Sequence, residues 1–203
     1  RVVSAEPSDN DYMVANQVTI RRPEGRRRFD LVLYCNGLPV AIIELKRAGD
    51  SHADVAAAHA QLQTYLREYP LAFRFCVLTV ISDGVVARYG TPFTPLHHYA
   101  PWNVDDDGRP LPVCALGLDG LPLSALDGLL LGAFNTDRFG QLLRNYTSFA
   151  VGDDGVHKYI AKPHQYFAVS RAIAATITAY RTNGKAGVVW HTQGSGKSLE
   201  MEF

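Results

Sequence analysis

Apolar residues along this chain fall into short runs bounded by glycine, proline and asparagine, and their spacing alternates between the period of a strand and that of a helix. Residues 26–34 and 39–46 read as two strands around Asn36-Gly37, a strong short-range hairpin signal. Residues 12–20 (YMVANQVTI) add an earlier strand, residues 73–81 (FRFCVLTVI) a buried one, and residues 85–89 (VVARY) a short one after Ser82-Asp83-Gly84. Residues 53–68 are alanine-rich, with Val55, Leu62 and Leu66 available for an apolar stripe; Ser51, His52 and Asp54 open this helix and Pro70 stops it. The sum predicts a central mixed sheet with at least one covering helix, an α/β arrangement.

From about 91 to 130 proline, glycine and aspartate punctuate the text, which predicts a long connection with a short helix near 124–131. Asp105-Asp106-Asp107 within it reads as a solvated loop. Residues 137–149 read as an interdomain helix, and residues 163–181 as an amphipathic helix with Pro163 near its first turn. That helix leads through Asn183-Gly184 to a last short apolar strand at 187–190. The expected organisation is a first domain over 1–110, a connecting segment over 111–155 and the start of a second domain over 156–203.

The hairpin carries the first candidate chemistry. Within RRRFDLVLYCNGLPVAIIELK, Asp30, Glu44 and Lys46 stand among apolar neighbours. With a three-residue loop, Asn36-Gly37-Leu38, cross-strand partners sum to 74 and Asp30 falls opposite Glu44; a two-residue loop shifts this by one. Opposed like charges destabilise a sheet, so the pair makes sense with a divalent cation between the two carboxylates. Lys46, two residues after Glu44, points to the same face. This set suits metal-assisted phosphodiester hydrolysis, since Mg²⁺ prefers one or two carboxylates plus waters and phosphate oxygens. A solvated surface hairpin is the plain alternative, but LVLY and VAII are too apolar for one. Gln61 and Tyr65 share a face of the next helix, where core packing or substrate contact would each explain the tyrosine.

The formal net charge is zero, from 20 basic and 20 acidic residues, so the cluster Arg21, Arg22, Arg26, Arg27 and Arg28 is a local feature. A basic run beside a carboxylate pair would hold phosphates near a metal. At the other end of the chain, AGVVWHTQGSGKSLEM sets a short apolar stretch before a glycine-rich loop and Lys197-Ser198. Backbone N–H groups from Gln193 through Gly194, Ser195 and Gly196 to Lys197 would cradle a β-phosphate, Lys197 would reach the β/γ oxygens, and Ser198 would hold Mg²⁺. The full phosphate-loop expression wants glycine where His191 stands.

The remaining features bound the answer. No apolar run approaches the roughly 20 residues of a membrane span, and no charged-then-apolar leader opens the sequence. The three cysteines, Cys35, Cys76 and Cys114, are odd in number and widely spaced, which fits neither a disulfide framework nor a metal site and favours a reducing cytoplasm. The seven histidines form no zinc spacing, and the adjacent rings of His97 and His98 are expected to point apart.

With both motifs in hand, essentially the whole chain resembles the restriction (R, motor) subunit of type I restriction-modification enzymes. The resemblance implies a PD-(D/E)xK nuclease domain followed by the beginning of a RecA-like superfamily 2 helicase, with Mg²⁺ and ATP as cofactors. Phe29-Asp30 stands where the family usually has Pro-Asp, Ile43 to Lys46 (IELK) supplies Glu44 and Lys46, and Gln61 and Tyr65 match its Q-x3-Y element. Gln165, within HQY, would meet adenine, and WHTQGSGKS is close to the family's phosphate loop with His191 included. Double-stranded DNA and the methyltransferase and specificity subunits are the implied partners, in a bacterial or archaeal cytoplasm. The sequence also reads as a fragment whose last strand would fray for want of a sheet. Alternative expectations are a nuclease-helicase of DNA repair or another defence system, and a DNA-binding or assembly module with vestigial nuclease residues.

Overall fold

The computed structural model describes residues 2–23, 25–47, 54–112, 115–117, 120–152 and 155–203. Five strands, β1 (Tyr12–Arg22), β2 (Gly25–Cys35), β3 (Leu38–Leu45), β4 (Leu78–Ser82) and β5 (Ala87–Gly90), form one sheet in sequence order. Neighbours are antiparallel except β3 and β4, which run parallel and are joined across α1 (Val55–Glu68). The expected mixed sheet is therefore present. Central β3 and β4 are buried on both faces, as the unbroken apolar runs VAII and LTVI require.

One face takes α1: Leu62, Ala58 and Tyr65 pack with Phe29, Val32, Ile42, Phe73 and Ile81. The other face takes α2 (Ala125–Ala133), α3 (Thr136–Arg144) and α4 (Pro163–Arg181), which bring Leu129, Leu142 and Tyr166 onto Ala41, Ile43, Val80 and Trp102. Asp54 caps α1, accepting from the Ala57 N–H at 2.8 Å. Ser51, His52 and Ala53, expected in its first turn, lie outside the described residues, as does Cys114.

Four local expectations are corrected. Residues 73–77 are not strand: Pro70–Phe73 is a 3-10 turn, because Pro70 fixes a helical φ just where α1 ends, and β4 begins only at Leu78. The helix expected over 137–149 stops at Arg144, and β6 (Thr147–Gly152) pairs with β7 (Gly155–Ile160) in a separate hairpin. The residues 187–190 are not a strand: they pair with no strand among the described residues, and Val188 and Trp190 are 89% and 87% exposed. His97 and His98 sit in the 3-10 turn Leu96–His98 with ring centroids 4.1 Å apart, since a turn does not alternate its side chains as a strand does.

The second hairpin is tied to the main sheet. The Tyr89 hydroxyl donates to the Ala161 carbonyl at 2.7 Å, Thr91 Oγ1 to the Lys158 carbonyl at 3.0 Å, and Lys158 Nζ to the Cys76 carbonyl at 2.9 Å. In the connecting segment Asp106 pairs with the buried Arg138 at 2.7 Å, Asp107 pairs with Arg109 at 2.8 Å, and Asp105 Oδ1 accepts from two backbone N–H groups of its own loop.

Candidate active site

The β2–β3 loop is the two residues Asn36-Gly37, and Asn36 takes a left-handed φ of 50° that asparagine tolerates. Near the loop, partners sum to 73, as in Cys35 with Leu38. A bulge between Leu33 and Tyr34 then resets the register to Leu31 with Ile43. Continued one step, that register sets Asp30 opposite Glu44. Asp30 Oδ2 accepts from the Leu45 N–H at 2.9 Å, so a carboxylate stands in for the next ladder carbonyl.

Glu44 follows Ile42 by two and so faces α1. It is only 1% exposed, and its Oε1 accepts from Lys46 Nζ at 2.8 Å. Its Oε2 is buried with no partner among the described residues. Burial pushes the Glu44 carboxyl up to about 7; the hydrogen bond from Lys46 opposes the rise and the Asp30 charge adds to it. The Lys46 ammonium also donates to Gln61 Oε1, and Gln61 Nε2 reaches the Tyr65 hydroxyl at 2.5 Å. Five sequence-predicted residues, Asp30, Glu44, Lys46, Gln61 and Tyr65, therefore meet in one polar pocket of about 370 Å³, which Arg26, Arg27 and Arg28 also line.

The arginine cluster divides. Arg27 forms a bidentate pair with Glu68 at 2.6 and 2.9 Å, and Arg22 donates to the Glu68 carbonyl and lies over Tyr69. Both are anchored to the end of α1. Arg26 and Arg28 have no carboxylate partner among the described residues and remain turned toward the pocket. Phe29 is a core residue: its ring meets Tyr65 at 5.0 Å and Phe73 at 5.9 Å, which ties the Asp30 strand to the helix carrying Gln61.

The glycine-rich loop forms a second, separate group. Gly194 and Gly196 take φ of 78° and 87°, a turn that other residues resist, and α5 (Lys197–Glu200) follows as a single turn. Lys197 Nζ donates to the carbonyls of His191 and Thr192 at 3.0 and 2.8 Å, inside the loop's own curve. Gln165 is buried; its Oε1 accepts from the Lys162 N–H at 2.9 Å and its Nε2 donates to the Gly196 carbonyl at 3.1 Å. His164 approaches the Ser195 carbonyl at 2.9 Å. His191, standing where the motif wants glycine, pairs with Glu200 of α5 at 2.6 Å, a contact glycine could not make. Gln193 and Ser198 are exposed, and neither they nor Lys197 approach the Asp30 pocket.

Residues 4–98 match the family described as the type I restriction enzyme R protein N terminus, and residues 164–203 match the SWI2/SNF2 ATPase family. The chain is 35% identical over 199 residues to the type I restriction enzyme HindI endonuclease subunit of Haemophilus influenzae, covering 96% of this chain. The chain belongs to the type I restriction enzyme R protein family. The MjaIXP endonuclease subunit of Methanocaldococcus jannaschii is 31% identical over 210 residues, and the SauCOLORF180P endonuclease subunit of Staphylococcus aureus 26% over 194 residues. These matches cover 96% and 94% of this R-family chain. The chain spans only 18–20% of the length of these relatives. No helix among the described residues of this R-family chain is long and apolar enough to cross a membrane.

Sequence reasoning missed three contributors. Glu68 anchors Arg27 and was hidden as an ordinary helix-end glutamate. The β6–β7 hairpin begins at Thr147, inside the helix expected over 137–149, and closes with Gly152 opposite Gly155, two glycines that are turn signals in the sequence. Gln17, in the middle of β1, gives no signal in sequence at all.

Proposed function

We propose that this chain carries the nuclease site of a type I restriction R subunit, a PD-(D/E)xK-type Mg²⁺-dependent endonuclease that cuts unmodified foreign double-stranded DNA. The observation that carries the reading is the unpartnered, buried Oε2 of Glu44 beside Asp30. Burying an ionised carboxylate oxygen with no donor is costly, and a bound divalent cation would remove that cost while keeping the group ionised. Among the described residues no cluster of three or more histidine, cysteine or acidic side chains offers a closed metal site. Two carboxylates with room for water and phosphate oxygens instead match the preference of Mg²⁺.

Asp30 and Glu44 would hold the cation. Once bound, it supplies Lewis-acid polarisation of the scissile phosphate and a lowered pKa for an attacking water. The remaining work belongs to the chain's own side chains. Lys46, held by Glu44 and Gln61, presents its ammonium where charge develops on the phosphate or orients the water. Tyr65 fixes Gln61 and so fixes Lys46. Arg26 and Arg28 bind flanking phosphates.

The second part of the proposal is that residues 156–203 open a RecA-like, ATP-driven translocase of superfamily 2, after a nuclease domain over 1–110 and a connection over 111–155. Gln193 to Ser198 would cradle phosphate, with Lys197 leaving its carbonyls for the β/γ oxygens, Ser198 on Mg²⁺ and Gln165 toward adenine. The subunit would act in the cytoplasm with methyltransferase and specificity subunits. The test is cleavage by the complete subunit with those partners. Glu44→Ala should abolish DNA cutting while ATP hydrolysis persists, and normal cutting by that variant would sink the site.

A further inference from the structure

Gln17 is one of two non-glycine residues with positive φ among the described residues, at 54°, and it lies inside an eleven-residue strand where no turn requires it. A left-handed backbone is sterically unfavourable for a side-chain-bearing residue, because its Cβ crowds the following carbonyl oxygen. The register is unbroken on either side, with Asn16 opposite Leu31 and Val18 opposite Phe29, so Gln17 stands opposite Asp30 with no residue inserted. Both strands nevertheless change faces at this pair. Val14 lines one cavity with Leu31 and Leu33, whereas Val18 lines another, with Phe29 and Val32. In unbroken strands positions 14 and 18 would share a face, as would 29 and 31.

Both neighbouring strands reach Asp30 at this pair, β3 through a short hydrogen bond and β1 through a long one. Its Oδ2 accepts from the Leu45 N–H at 2.9 Å, and its Oδ1 accepts from Gln17 Nε2 at 3.5 Å. We propose that Gln17 is a positioning residue for the cation site, its left-handed backbone and side-chain amide together fixing the direction in which the Asp30 carboxylate points. This rests on the reading of Asp30 and Glu44 as a divalent-cation site. A glycine at position 17 would supply the same backbone without the steric cost and without the amide, which separates the two contributions.

The experiment is calorimetric titration of Mn²⁺ into the 203-residue chain, with thermal melts in chelator, for the parent, Gln17→Gly, Gln17→Leu and Glu44→Gln. Gln17→Gly should melt at or above the parent temperature, yet bind Mn²⁺ about tenfold more weakly, the low end of what loss of a ligand-orienting hydrogen bond costs. Gln17→Leu, which keeps a branched side chain and the backbone cost but lacks the amide, should show the same loss. Parent affinity in either folded Gln17 variant, with binding lost in Glu44→Gln, overturns the role of Gln17 alone. Parent affinity in Glu44→Gln, or no Mn²⁺ binding by the parent, overturns the cation site itself.

Discussion

Replacing Glu44 with glutamine keeps the shape of the side chain and removes its charge, and the structure gives the size of the effect. Burial raises the Glu44 carboxyl from 4.5 to about 7, so the folded chain prefers it protonated. An acid raised in this way contributes stability that is fully present below pH 4.5 and is lost as pH rises through about 7. That difference is worth roughly 3 kcal/mol at pH 8 and under about 1 kcal/mol at pH 5. Glutamine resembles the protonated form at every pH. In chelator at pH 8, Glu44→Gln should therefore melt higher than the parent, by as much as about 6–12 °C at ~2–4 °C per kcal/mol for a chain of this size. Loss of the charged partner of Lys46 trims that gain without reversing it, because the raised value already includes the opposing Lys46 hydrogen bond. The gap should narrow at pH 5. Millimolar Mg²⁺ should raise the parent's melting temperature and leave the variant's unchanged, since a ligand stabilises only the form that binds it. Differential scanning calorimetry of both proteins, at two pH values with and without Mg²⁺, measures all of this. A variant that melts below the parent at pH 8 in chelator would refute the claim that the ionised carboxylate is a strained, cation-seeking group.

Other outcomes follow from the same geometry. In the complete subunit, Lys46→Ala should lose cleavage but retain ATP turnover, whereas Lys197→Ala should lose ATP turnover; paired cleavage and phosphate-release assays read both, and unchanged turnover in the second would exclude this loop as the phosphate site. The Mg²⁺ concentration needed for half-maximal cleavage should rise as pH drops below about 7, because the proton and the cation compete for Glu44, and a requirement unchanged down to pH 5 would contradict the raised carboxyl. Tyr65→Phe should slow cleavage by about 2- to 10-fold through one lost hydrogen bond to Gln61, with little change in melting temperature; a rate equal to the parent's would remove Tyr65 from the site. Gly132→Ala should lower the melting temperature although alanine favours helices, because a Cβ there overlaps the buried Trp102 indole, an overpacking cost of about 1–3 kcal/mol; a higher melting temperature would show that the Trp102 pocket has room to yield.

Much of this protein is written locally. Asn36-Gly37 announces the hairpin because only a few residues tolerate its turn, and Asp54 and Pro70 bracket α1 through capping and a missing N–H. The carboxylates, lysine, glutamine and tyrosine of the site were identifiable as residue types at fixed spacings, since the strand period puts Lys46 on the face of Glu44 and the helix period puts Tyr65 on that of Gln61. What the sequence could not decide is how those faces meet. The bulge at Leu33/Tyr34, which restores Asp30 opposite Glu44 after a two-residue turn, depends on how β2 and β3 pack against both cores. The same holds for Phe29, which becomes the contact between the Asp30 strand and Tyr65. Residues 187–190 have the composition of a strand but pair with none among the described residues, since strand propensity is half of a bond whose other half is another strand. Gln17 marks the limit most clearly: its left-handed backbone and its reach to Asp30 exist only because two strands change faces together, a property of the pair that neither segment carries alone.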